Sequence, residues 1–93
     1  MQNLNNIDDI ENILKTTEIM LLKFDNSKSN YDEFIDNLDF KVVNITDKEI
    51  IDFYDIEILP TILVYKNKNL IDSIKGFHTK TIFVKKILNL IKD

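Results

Sequence analysis

The 93-residue chain is long enough for one domain and too short for two, and its 44% hydrophobic and 30% charged residues suit a protein that folds in water. A formal charge of −4 with no arginine weighs against a nucleic-acid footprint, and no apolar run approaches the roughly 18 residues a membrane span needs. With no cysteine, the chain can form no disulfide, thiolate metal site or thiol nucleophile.

The start, "MQNLNNIDD", lacks the basic and apolar regions of a signal peptide, so a cytoplasmic setting is expected. Abundant Ile, Asn, Lys and Asp, with no Ala and one Gly, fit an AT-rich coding bias. Asn-rich stretches therefore carry little functional information.

In chain order, "NIDDIENILKT" places Ile7, Ile10, Ile13 and Leu14 on one helical face, with Asn6 as N-cap. "IMLLKF" (19–24) and "KVVNI" (41–45) are nearly continuous apolar runs, as expected of strands covered on both faces. Between them, "YDEFIDNL" (31–38) spaces Tyr31, Phe34, Ile35 and Leu38 as a short helix. The unit is β-α-β, whose right-handed crossover makes its strands parallel.

"DKEIIDFYDI" (47–56) suits another short helix with Asp47 as N-cap and Glu49 in its first turn. "TILVYK" (61–66) and "LIDSIK" (70–75) read as a hairpin turning through Asn67, Lys68 and Asn69. After Gly76, Thr79 stands as a cap for a last helix carrying Ile82, Phe83, Ile87, Leu90 and Ile91. The aromatic residues Phe34, Phe53, Tyr54, Phe77 and Phe83 recur at helical or strand spacing and are expected in the core.

The order α-β-α-β-α-β-β-α over a single domain, 1–93, resembles the thioredoxin-like fold. The stretch "FYDIEILPTILVYKNKNLIDSIKGFHTKTIF" is similar to a thioredoxin C-terminal half: an apolar-Pro-Thr turn at Leu59-Pro60-Thr61, a strand, a second strand, then Gly76 and a helix. The similarity covers roughly residues 7 to 91 and is strongest from 41 onward. It implies an α/β domain with a four-stranded mixed sheet flanked by helices, a cis bond before Pro60, and Leu59 turned outward as a peptide-pairing edge.

The resemblance places Cys-x-x-Cys after the first buried strand, and here that position reads Ser29-Asn30-Tyr31-Asp32, with Ser27 to Asn30 as a slipped alternative. Disulfide exchange needs a thiolate at a helix N-terminus and a second thiol to release the product. A serine hydroxyl is too weakly acidic for this, and Asp32 adds a negative charge. The buried carboxylate of thioredoxins falls near Lys23, a second departure from redox chemistry.

Ser29 as a nucleophile would need a base, and the only histidine, His78, has no evident orienting carboxylate or oxyanion hole. Acidic residues Asp8, Asp9 and Glu11, like Asp32, Glu33 and Asp36, favour helix dipoles and solvent rather than a metal. A glutathione-conjugating role would need a large second domain for the electrophile.

The expectation is a redox-inactive, cofactor-free and metal-free binding module, an adaptor or chaperone-like domain with no enzymatic activity. Its groove would run through Ser27, Tyr31, Leu59, Pro60, Thr61 and Phe77 and take a protein or extended peptide segment. No nucleic acid or membrane is expected as a partner, and the chain is expected to be a monomer or weak homodimer. The competing reading is a thioredoxin- or glutaredoxin-like thiol-disulfide oxidoreductase in which serine, natural or engineered, replaces the catalytic cysteine.

Overall fold

Two helices begin where short polar side chains can catch the free N–H groups of a first turn. Asn6 Oδ1 accepts from the N–H of Asp8 (2.9 Å) and of Asp9 (3.2 Å), opening helix α1, Ile7–Thr16. Asp47 Oδ1 accepts from Glu49 (2.9 Å) and Ile50 (3.2 Å), opening helix α2, Lys48–Phe53. The computed structural model describes residues 2–4, 6–26 and 40–92.

The apolar runs form strands β2 (Ile19–Phe24), β3 (Lys41–Ile45), β4 (Thr61–Lys66) and β5 (Asn69–Lys75). They are the four strands of the expected mixed sheet: β2 lies parallel to β3 and antiparallel to β4, and β4 is antiparallel to β5. A two-residue strand β1, Gln2–Asn3, adds a fifth member beside β3, so the sheet order is β1-β3-β2-β4-β5. The β4–β5 hairpin turns through Asn67 (φ 52°) and Lys68 (φ 73°), the two left-handed positions a tight turn requires.

Alternation along the strands divides the core between two faces. On one face Leu21, Val42, Ile62, Val64 and Ile74 pack against Phe83 and Ile87 of helix α3, Lys80–Ile91. On the other, Met20, Leu22, Phe24, Val43, Ile45 and Leu63 pack against Ile10 of α1 and Ile50 and Ile51 of α2. Each large apolar side chain buried this way contributes about 1.5–3 kcal/mol, so the sheet is held from both sides.

Lys66 Nζ donates to the Ile91 carbonyl at 3.2 Å, placing a cation at the C-terminus of α3. Thr79 occupies the N-cap position of α3, but its side chain makes no capping bond. Its carbonyl instead accepts the Phe83 N–H at 2.8 Å. Phe53 and Phe77 depart from the expected core, at 59% and 51% exposure, and Phe53 sets its ring edge-on to Tyr54 at 5.4 Å. On a helical wheel Ile50, Ile51 and Tyr54 share the inward face of α2 and its C-cap, and Phe53 lies about 60° outside it. The helix expected at 31–38 lies outside the described residues.

Candidate functional site

Ser27, Ser29, Asn30, Tyr31 and Asp32, the sequence candidates at the strand-to-helix corner, lie outside the described residues. What the structure does describe is the end of β2 that leads into them. Lys23 is fully buried, and Asp25, just past the strand, is 4% exposed. Register sets Lys23 opposite Asn44 on β3, and Asn44 opposite Asn3 on β1.

Side-chain bonds follow that register. Lys23 Nζ donates to Asn44 Oδ1 at 3.1 Å, and Asn44 Nδ2 donates to Asn3 Oδ1 at 2.9 Å. Asp25 Oδ2 stands 3.8 Å from the ammonium, while its Oδ1 accepts the Asn26 N–H at 2.8 Å. Among the described residues Oδ2 has no hydrogen bond, so the ammonium is its counter-charge. A polar row thus crosses β1, β3 and β2 on the sheet face of Leu21 and Val42. The resemblance put Lys23 near a buried position, but nothing in the sequence signalled its partners, because strand register is a non-local property.

The second half of the candidate site is described in full. The Leu59–Pro60 peptide bond is cis. Thr61 is buried, and its hydroxyl donates to the Ile58 carbonyl, closing the turn that leads into β4. Gly76 N–H donates to the Pro60 carbonyl at 2.8 Å, which draws the end of β5 against the turn. Gly76 has φ +79°, a left-handed value that an L side chain rarely adopts.

This tie sets Gly76, the residue before Phe77, against Pro60. Ile58, Leu59 and Phe77 are 49%, 36% and 51% exposed and form an apolar lip at the surface. No backbone hydrogen bond among the described residues engages Leu59. Beside the lip lies a hollow of about 360 Å³ between the segment after α2 and the β4–β5 hairpin, lined by Tyr54, Ile56, Ile58, Leu63 and Leu70 among others. The lip was legible in sequence through the Leu-Pro-Thr turn; the hollow was not.

Known thiol chemistry has no purchase on these residues. His78 Nδ1 lies 3.2 Å from the Gly76 carbonyl, which ties the imidazole into its own turn. Burial, with the charges of Tyr65 and Glu11 behind it, pushes the Tyr54 phenol up to about 12. Burial, then Glu11, also raises Tyr65. Both phenols are neutral at physiological pH and serve as packing groups rather than acids.

No protein-family model matches the chain, and no curated protein matches it. Solved structures do. Mitochondrial thioredoxin 3 from Saccharomyces cerevisiae, in its oxidised form, superimposes with a TM-score of 0.80 at 19% identity, over 96% of this chain and 94% of that one. The chain has the thioredoxin-like fold. A single-residue variant of thioredoxin from Halobacterium salinarum NRC-1 gives a TM-score of 0.83 at 10% identity, over 99% of this chain and 91% of that one. Thioredoxin from Trypanosoma brucei brucei gives 0.79 at 14% identity, over 98% and 90%. Identities this low speak for the fold alone. The chain carries no cysteine, and the penultimate residue of its central strand β2 is a buried lysine.

Proposed function

We propose that this thioredoxin-like domain is a redox-inactive binding module that holds an extended protein segment against the Leu59–Thr61 turn. The observation that carries the reading is the apolar lip. Ile58, Leu59 and Phe77 stay exposed around a turn whose neighbours Thr61 and Ile62 are buried. Leu59 also keeps its backbone polar groups outside the sheet ladders, where a bound strand can pair with them. An extended segment laid there gains main-chain hydrogen bonds at Leu59 and apolar contact at Phe77. Ser27 and Tyr31 would form the opposite wall of the groove.

The absence of cysteine removes thiolate attack from the repertoire, so binding is what the retained surface offers. An insulin-reduction assay on the chain is expected to show no dithiol-dependent turnover above background. Capture of unfolded polypeptide, followed by fluorescence anisotropy, is expected to weaken about tenfold in Leu59→Asp and in Phe77→Ser, with circular dichroism unchanged. Turnover in the first assay, or unaltered capture in the second, refutes the reading.

A further inference from the structure

We propose that the outer face of α3 is a second docking surface, for an acidic segment of a protein partner with an apolar side chain between its carboxylates. Charge is divided along the chain. Residues 73–92 hold five lysines and no Asp or Glu, whereas residues 1–72 hold seven lysines against fifteen acidic residues. Helix α3 gathers three of those lysines, Lys80, Lys85 and Lys86, and Lys92 follows at its C-cap.

The helix also presents apolar groups outward. Its core stripe is Phe83 and Ile87, with Val84, Leu90 and Ile91 half-buried at the margins. Leu88 and Ile82 lie off that stripe at 53% and 55% exposure. Among the described residues no ion pair engages Lys80, Lys85 or Lys86, so their charge is available to an incoming partner.

A shallow hollow of about 440 Å³ sits on this face, lined by Lys80, Thr81, Val84, Lys85, Leu88 and Asn89. Val84 and Leu88 give it an apolar floor, one turn apart, and Lys80 and Lys85 give it a cationic rim. That combination fits one aliphatic side chain flanked by carboxylates. A bilayer fits less well, because a flat lipid surface takes a convex apolar ridge and α3 spends its apolar stripe on the core. With no arginine to fork onto phosphates, nucleic acid is a poorer occupant still. The surface is separate from the Leu59–Phe77 lip and does not depend on it.

The test uses the whole chain and a short fluorescent peptide of repeated Glu-Glu-Leu triplets. Anisotropy is expected to show binding that weakens severalfold between about 0.02 M and about 0.2 M salt. The doubly reversed variant K80E/K85E is expected to lose about tenfold in affinity, and Leu88→Ser several-fold, with circular dichroism unchanged. A Gln-Gln-Leu peptide is expected not to bind, and Leu59→Asp is expected to bind the acidic peptide as the parent chain does. Equal affinity in K80E/K85E overturns the proposal. So does capture by phosphatidylserine vesicles, or salt-sensitive self-association of the chain, with no peptide binding.

Discussion

Replacing Lys23 by Met retains most of the aliphatic volume of a fully buried side chain and removes its charge. Two groups lose a partner: Asn44 Oδ1, which accepts from Nζ at 3.1 Å, and Asp25 Oδ2, which faces it at 3.8 Å. At an effective dielectric constant near 20 the Lys23–Asp25 attraction is about 4 kcal/mol before desolvation, which offsets much of it. The cost of breaking the pair is larger than its net worth, because Asp25 would keep a buried charge with no counter-ion. Removing one partner of such a pair costs about 3–5 kcal/mol. The 3.8 Å separation is beyond hydrogen-bonding range, so Lys23→Met should sit at the low end, about 3 kcal/mol.

Asp25→Asn should cost less, about 2 kcal/mol, because Asn44 still accepts from the ammonium. The double variant carries neither charge and should lose about 2 kcal/mol or less in total, so the two single costs do not add. Urea unfolding followed by far-ultraviolet circular dichroism measures all four corners of the cycle, the chain having no tryptophan to report by fluorescence. For a domain of this size the single Lys23 variant should melt roughly 12–24 °C lower. Additive single costs, to within about 0.5 kcal/mol, would show that Lys23 and Asp25 are not coupled and refute the reasoning.

Phe83→Ala removes a fully buried ring at the centre of the α3 packing and should cost about 3–5 kcal/mol by denaturant titration. A loss under about 1 kcal/mol would mean that α3 does not dock through Phe83. High pH should also destabilise the fold. Tyr54 titrates at about 12 in the folded chain against 10.0 for an unperturbed phenol, so its contribution is intact below pH 10 and is lost as pH rises from 10 toward 12. Tyr65 shifts in the same direction. Discounted for partial solvent exposure, the loss is about 1 kcal/mol; unfolding midpoints at pH 9 and 11 should show it, and Tyr54→Phe should flatten the difference.

What the sequence disclosed and what it hid divide along the range of the interactions involved. Asn6 before the Ile7, Ile10, Ile13 and Leu14 stripe is a local signal, and it became the Asn6 Oδ1 cap of α1. Asn67 and Lys68 are likewise local, and they became the left-handed turn of the hairpin. Strand β1 was invisible because two residues carry no periodicity. Pairing of Asn3 with Asn44, forty-one positions apart, holds it in place. Phe53 misled because an aromatic residue next to Ile50 and Ile51 reads as core until the angle between them on the helix is counted. Gly76, singled out in the sequence as the end of the last strand, bonds through its N–H to the Pro60 carbonyl, so the end of β5 meets the Leu-Pro-Thr turn.

Disulfide exchange takes a thiolate that attacks and a second thiol that releases the product. The buried Lys23 cation is committed to Asn44 and Asp25, and Asn44 in turn to the Asn3 that pairs with it on β1. Restoring one thiol at Ser29 supplies the attacking group and not the resolving one. Such a variant is expected to form mixed disulfides with glutathione, visible by mass spectrometry, and to reduce insulin no faster than background. Insulin turnover in Ser29→Cys would show that exchange here does not need a second thiol in the chain and would refute this expectation.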